Sequence, residues 1–296
     1  MRRSTLDKAV ADKEVTGIEV VRVQDWAQYP WLRHGFSTRT GGVSTVYGGD
    51  SLNLGWTKED DLASVAENRL RFLRAAVGRA TGEADFALVT LRQIHSAITR
   101  TIHEEDGPLA GRLQTPEGKA VLEGDGLMTN LPGVMLGVGT ADCVPVLVAD
   151  VKKRVVSAFH AGWRGTASRI VEQGIAKMAH EYSSQPKNLI AAIGPSIGTC
   201  CYAVGEEVRA AFSAQFSYAD ELFRKGSGSS DEQIYVNLWD ANRRQLRDAG
   251  LNESRITVIA ECTACARDSQ GVLRYFSHRG ERGIAGRMLS VVGIAQ

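Results

Sequence analysis

Two neighbouring runs, Val144-Pro145-Val146-Leu147-Val148-Ala149 and Val155-Val156-Ser157-Ala158-Phe159, are apolar at nearly every successive position. A β-strand sends alternate side chains to opposite faces. Strands apolar on both parities need cover on both faces, which a one-sided sheet cannot give. Residues 146–158 read as a hairpin of this kind. Further strand-like runs are Ile18–Val23, His34–Arg39, Phe86–Leu91, Val134–Val138, Leu189–Ile193, Ile256–Ile259 and Tyr275–Ser277, with an apolar end at Arg287–Ile294.

Helical spacing separates these runs. Residues 60–77 place Leu62, Val65, Ala66, Leu70, Leu73 and Val77 on one face, and 166–182 place Ile170, Ile175 and Met178 likewise. Residues 206–216 and 238–249 also read as helices. Thr40-Gly41-Gly42-Val43-Ser44, 104–120 and 217–232 read as loops, and the mostly polar residues 1–17 as a flexible N-terminal segment. No linker or repeat interrupts the rest. The expected fold class is α/β (α+β), with mixed sheets covered by helices in a single domain over 18–296.

The 296 residues can bury a full core without staples. A net charge of +1 provides no field for nucleic acid or an acidic membrane, so neither is an expected partner. No apolar run of signal-peptide length follows Met1-Arg2-Arg3, and no stretch approaches a membrane span, so a cytoplasmic location is expected. Five cysteines do not suggest a disulfide framework.

Three segments end strands with a metal-competent side chain: Gln93-Ile94-His95-Ser96, Ala141-Asp142-Cys143 and His160-Ala161-Gly162-Trp163-Arg164-Gly165. Two histidines and a cysteine suit zinc with one open position, as in catalytic sites. Residue chemistry equally allows ordinary buried residues, or a Cys143 thiolate nucleophile activated by His95 or His160. Arg39, Arg164 and Arg279 stand at turns and would suit an anionic substrate; solvated surface arginines are the plain alternative. Cys262-Thr263-Ala264-Cys265 is a CxxC pair, but no second CxxC completes a four-sulfur cage, so a second zinc site is not expected. The adjacent Cys200 and Cys201 read as packing residues after a Gly-Pro turn.

Together these segments resemble the YfiH family, also called laccase-domain or polyphenol-oxidase-like proteins. The resemblance rests on residues 37–44, 93–96, Gly124-Asp125-Gly126-Leu127-Met128-Thr129, residues 140–147, 160–166 and 193–198, Cys201-Tyr202-Ala203-Val204-Gly205-Glu206-Glu207-Val208, Tyr275-Phe276-Ser277-His278-Arg279 and Gly286-Arg287-Met288. These blocks span residues 33–295 in family order, and Ala-Asp-Cys and His-Ala-Gly-Trp-Arg-Gly are highly specific. Ala203 departs from the family, which often has Glu there, and His278 stands where Tyr is common.

The resemblance implies a zinc site of His95, Cys143 and His160, and a fold similar to the catalytic domain of cytotoxic necrotizing factor. It implies phosphorolysis of adenosine, guanosine, inosine and 5′-methylthioadenosine, together with adenosine deamination. Purine nucleoside and phosphate are then the small-molecule partners, with monomer and dimer both open. Deamination needs a metal-acidified water at C6 and a group to move protons; Asp142 is nearest in sequence, although strand alternation points it away from Cys143. Phosphorolysis needs a cationic cradle, for which Arg39, Arg164 and Arg279 are the candidates.

A Cys–His amidase-type hydrolase acting on cell-wall precursors is the competing enzyme reading, and a non-enzymatic binding protein the third. Copper has also been ascribed to the family. Six histidines, two of them in the strongest motifs, are too few for a multicopper oxidase, so copper is not expected.

Overall fold

The computed structural model describes residues 9–12, 17–78, 86–226 and 233–296. In chain order the first elements are β1 (Ala9–Asp12), β2 (Val20–Val23), β3 (Leu32–Ser37), β4 (Thr40–Ser44), α1 (Leu62–Val77), β5 (Ala87–Val89), β6 (Thr99–Thr101), β7 (Gly126–Thr129), β8 (Val134–Thr140), β9 (Val144–Asp150) and β10 (Val155–Ala161). Then follow α2 (Trp163–Ala167), α3 (Ile170–Tyr182), β11 (Leu189–Ile193), β12 (Ala203–Val204), α4 (Glu206–Ser213), β13 (Phe223–Lys225), β14 (Ile234–Val236), α5 (Leu238–Asp248), β15 (Ile256–Val258) and β16 (Met288–Ile294).

One sheet has the order β1-β2-β3-β16-β8-β5, a second β15-β11-β9-β10-β7-β6, and a small third sheet β12-β14-β13. Both large sheets are mixed: β5–β8, β6–β7 and β11–β15 are parallel and their other pairings antiparallel. β9 and β10 form the expected hairpin, with Val156 opposite Ala149 and Ala158 opposite Leu147.

Alternation along these strands builds the layers. Leu136 and Val138 of the first sheet meet Leu147, Ala149, Val156 and Ala158 of the second in one buried cluster between the sheets. The opposite parity of β9 and β10, Val146, Val148 and Phe159, packs on Ile170, Val171 and Ile175 of α3 and Ala241 and Leu246 of α5. On the outer face of the first sheet, Met135, Leu289 and Val291 pack on Phe72 and Ala76 of α1. Two sheets are thus pressed face to face between helices, which is why β9 and β10 are buried at every position. No helix among the described residues is long and apolar enough to cross a membrane.

Several local expectations are corrected. The buried face of α1 is Val65, Asn68, Arg69, Phe72 and Ala76, while Leu62 and Leu70 are exposed. Asn68 earns burial by donating to Ser44 Oγ and the carbonyls of Ser51 and Asn53, and accepting from the Val43 amide. Thr40–Ser44 is a strand, because Gly42 lets the Ser51 carbonyl approach to where a Cβ would lie 2.1 Å away. The helix expected over 166–182 breaks at Arg169, whose φ of 58° is left-handed. The short α2 is instead turned toward α5, where Asn242 and Gln245 donate to Thr166 Oγ1 and Thr166 O. Tyr275–Ser277 is buried but irregular rather than a strand.

At the N-terminus, Ala9–Asp12 pairs with β2, while residues 1–8 and 13–16 of the expected flexible segment lie outside the described residues. The expected 217–232 loop contains β13, and its residues 227–232 also lie outside.

Candidate active site

His95, Cys143 and His160 converge at one end of the inter-sheet layer. Cys143 and His160 continue the parity of Leu147 and Ala158, which faces the inter-sheet core. His160 pairs with Pro145, two residues along from Cys143, so both side chains leave the second sheet side by side. His95 arrives from the loop that follows β5 of the first sheet. Its imidazole nitrogens, the Cys143 sulfur and the His160 ring offer ligand atoms all within 4.8 Å of one another. The two rings stand edge to face with centroids 4.9 Å apart.

The residue that assembles this set is Asp125, fully buried at the start of β7. Its Oδ1 accepts from the His95 amide at 3.0 Å and contacts His160 Nδ1 at 2.8 Å. Its Oδ2 accepts from the Ser96 amide at 2.6 Å, Ser96 Oγ at 2.7 Å and the Ile94 amide at 3.3 Å. These bonds hold the loop in the turn that gives His95 a left-handed φ of 59°. Gln93 clamps the same loop to β8, accepting from Gly139 N and donating to Gly139 O. Both Asp125 and Gln93 stand in segments that carry the family resemblance, but the sequence gave neither a role in the site. The available signal was a carboxylate between two glycines, Gly124-Asp125-Gly126, at the head of an otherwise apolar strand.

The electrostatics of the cluster follow from these contacts. Burial pushes the Cys143 thiol up, but His160 and His95 outweigh it and lower its pKa to about 6. Burial pushes His160 down, and Cys143 with Asp125 outweigh that and raise it to about 9. Burial raises Asp125, yet His160 and Ser96 hold it at about 2.

The donor set fits a zinc-type ion. Zn–N near 2.0–2.1 Å and Zn–S near 2.3 Å place tetrahedral ligand atoms about 3.5 Å apart, and the three here lie within 4.8 Å of one another. Asp125 occupies His160 Nδ1 and leaves Nε2 as the ligand, the carboxylate–histidine arrangement common behind metals. Gly162 keeps the space open: a Cβ there would sit 3.0 Å from Cys143 Sγ and 3.2 Å from His95 Cδ2.

The other candidate residues fall in different places. Asp142, with φ 96°, is buried and stands outside the cluster. Its carboxylate accepts from Thr263 Oγ1, Ser277 Oγ and the Arg279 amide, each at 2.7 Å. Arg39 is committed to the carbonyls of Tyr275 and Tyr47, to Glu281 at 3.1 Å, and to the face of Phe276. Arg164 is exposed, its guanidinium 4.3 Å from the centre of the Trp163 ring. Arg279 donates to Ala203 O at 2.7 Å and lies 5.3 Å from the centre of the Tyr202 ring. Burial first, then the charge of Cys143, push Tyr202 up to about 12, with Arg279 and Arg164 opposing. Tyr202 feels the charge of Cys143 and of both arginines, and only Arg279 lies over its ring; the sequence placed it in a motif of the resemblance but gave it no role.

One expectation is overturned. Cys200 and Cys201 are not simple packing residues. Their sulfurs gather with those of Cys262 and Cys265, all within 4.8 Å of one another, because the bridge between Ser196 and Cys262 brings the two loops together. The missing second CxxC is supplied by an adjacent pair.

Known proteins are similar to this chain in sequence and in fold. A purine nucleoside phosphorylase of Deinococcus radiodurans is 38% identical over 279 residues, covering 94% of each chain. Adenosine deaminase RL5, from an unknown prokaryotic organism, is 34% identical over 236 residues, covering 79% of this chain and 85% of its own. The crystal structure of YlmD from Geobacillus stearothermophilus superposes with a TM-score of 0.80 at 30% identity, covering 97% of this chain and all of that one. The family model described as multi-copper polyphenol oxidoreductase laccase matches residues 33–295, so the chain belongs to that family, the one its sequence motifs resemble.

Proposed function

We propose that the chain is a zinc-dependent purine nucleoside enzyme, cleaving adenosine, inosine, guanosine and 5′-methylthioadenosine with phosphate and deaminating adenosine. The observation that carries this reading is the His95–Cys143–His160 cluster braced by Asp125. Relatives named for both activities support it. Bound by those three residues, zinc would supply Lewis acidity at the mouth of the inter-sheet layer.

The chain's own residues then divide the work. In phosphorolysis a phosphate oxygen attacks C1′ as the C–N9 bond breaks, and the purine leaves with the bonding electrons and takes up a proton. Arg279, over the Tyr202 ring, and Arg164, over the Trp163 ring, hold the phosphate. Tyr202 keeps its proton and donates a hydrogen bond to substrate from its hydroxyl. Arg39 acts indirectly: it fixes Glu281, which in turn accepts from the Ser277 amide at 2.9 Å. Asp142 holds Thr263, Ser277 and Arg279 in place rather than moving protons. Five free cysteines suit a reducing cytoplasm.

Incubation with adenosine or inosine, with and without phosphate, followed by chromatography, tests the reading. Free base released only with phosphate supports phosphorolysis, and inosine formed from adenosine without phosphate supports deamination. Absence of both products from metal-replete protein would refute the proposal.

One observation favours a second reading. A Cys143 thiolate beside a protonated His160 is the pairing used by Cys–His amidases. Covalent labelling of Cys143 by an amide or ester substrate, insensitive to chelation, would select it. The family's copper description has less support, since among the described residues only one cluster contains histidine, and it contains two.

A further inference from the structure

We propose that Cys200, Cys201, Cys262 and Cys265 hold a second, structural zinc ion. Their four sulfurs lie within 4.8 Å of one another, and Cys200 and Cys265 approach to 3.6 Å. Tetrahedral zinc with Zn–S bonds of 2.3 Å spaces its sulfurs about 3.8 Å apart. A disulfide needs about 2.05 Å and joins sulfurs in pairs, whereas here all four converge. An iron–sulfur cluster interposes sulfide between cysteines and spreads them further.

Local backbone explains how adjacent cysteines reach one point. The amides of Cys201 and Tyr202 both donate to Gly198 O at 3.0 Å, so the pair sits on a helical turn. Successive side chains there diverge by about 100°, against 180° in a strand. Across from them, Cys265 and Ala266 donate to Cys262 O, which puts Cys262 and Cys265 on one side of a second turn. The Gly198 amide donates to Cys262 Sγ at 3.2 Å, a bond that favours the thiolate. Four sulfurs fill the coordination shell, which marks a structural and not a catalytic ion. On binding, four S–H protons are released and four Zn–S bonds form, with no change in oxidation state.

The ion would brace the wall of the first site. Thr263, between two of the ligands, donates to Asp142, the neighbour of Cys143. Tyr202 directly follows Cys201.

Metal content of the full chain, purified under reducing conditions without chelator, tests the proposal. Two zinc ions per chain are expected, falling to one in His95→Ala and, independently, to one in Cys265→Ser. X-ray absorption of His95→Ala should show a shell of sulfur alone near 2.3 Å. Cys200 and Cys265 are exposed, so alkylation of native protein reads the same site without any variant. Both should resist alkylation until a chelator is added. A single zinc that disappears in His95→Ala, rapid alkylation of Cys200 and Cys265 in metal-replete protein, or disulfides among the four in reduced preparations would each overturn it.

Discussion

Asp125 Oδ1 lies 2.8 Å from His160 Nδ1, and the same carboxylate accepts three successive amides of the loop that carries His95. One buried side chain therefore orients one imidazole directly and positions the other through its backbone. Asp125→Asn keeps the shape but turns an acceptor into a donor facing N–H groups. Zinc affinity should fall by roughly 10–100-fold, the usual effect of losing such a partner, as measured by competition with a chromophoric chelator. Unchanged affinity would show that Asp125 does not orient the ligands.

Gly162 has a φ of −65°, which any residue adopts, so Gly162→Ala is a purely steric test. The new methyl would lie 3.0 Å from Cys143 Sγ. Metal occupancy and activity should drop while the melting temperature of the metal-free protein changes little. Full occupancy would mean that the cluster does not need this space.

In metal-depleted protein, Cys143 should ionise around pH 6, because His160 and His95 outweigh burial. Its alkylation rate, followed by peptide mass spectrometry, should therefore climb through pH 6 and level off by about pH 7. Rates still rising at pH 8.5, the ordinary thiol range, would contradict that field. Added zinc should suppress the reaction.

His34 is buried and accepts the Val23 amide at 2.9 Å. Burial first, then Arg22, lower its pKa to about 3. The unfolded chain takes up this proton near pH 6.5 and the folded chain only near pH 3. Its contribution to stability is complete above pH 6.5 and is lost as pH falls toward 3, by a few kcal/mol at most, since one pH unit is worth about 1.4 kcal/mol. His34→Gln should flatten denaturation midpoints across that window relative to wild type. Parallel curves for the two proteins would exclude His34 as the cause.

Gly174 of α3 faces Phe159, where an added Cβ would meet Cε1 at 2.2 Å. Gly174→Ala should destabilise by about 1–3 kcal/mol despite its better helix propensity, the overpacking cost exceeding the gain. Urea denaturation provides the measurement, and a stabilised variant would count against rigid packing between α3 and β10.

The sequence by itself determined the central hairpin of β9 and β10 and its double cover, because burial on both faces is written as apolar residues at consecutive positions in Val144–Ala149. It also marked His95, Cys143 and His160 by their ligand-type side chains, although only His160 lies within a strand, Cys143 standing just before β9 and His95 in the loop after β5. Tertiary structure alone decided what depends on contacts between distant segments. The buried face of α1 turns on Asn68, whose polarity hides its burial until its partners at Ser44, Ser51 and Asn53 are in place. Asp125 becomes the keystone only when β7 is laid beside β10 and the His95 loop folds over it. Cys200 and Cys265 lie 65 residues apart along the chain, and nothing periodic links them. The three arginines looked alike as residues at turns, yet Arg39 is spent on Glu281 while Arg164 remains exposed. Propensity and periodicity are local, whereas a site is an agreement between strands that only the register of the two sheets can bring about.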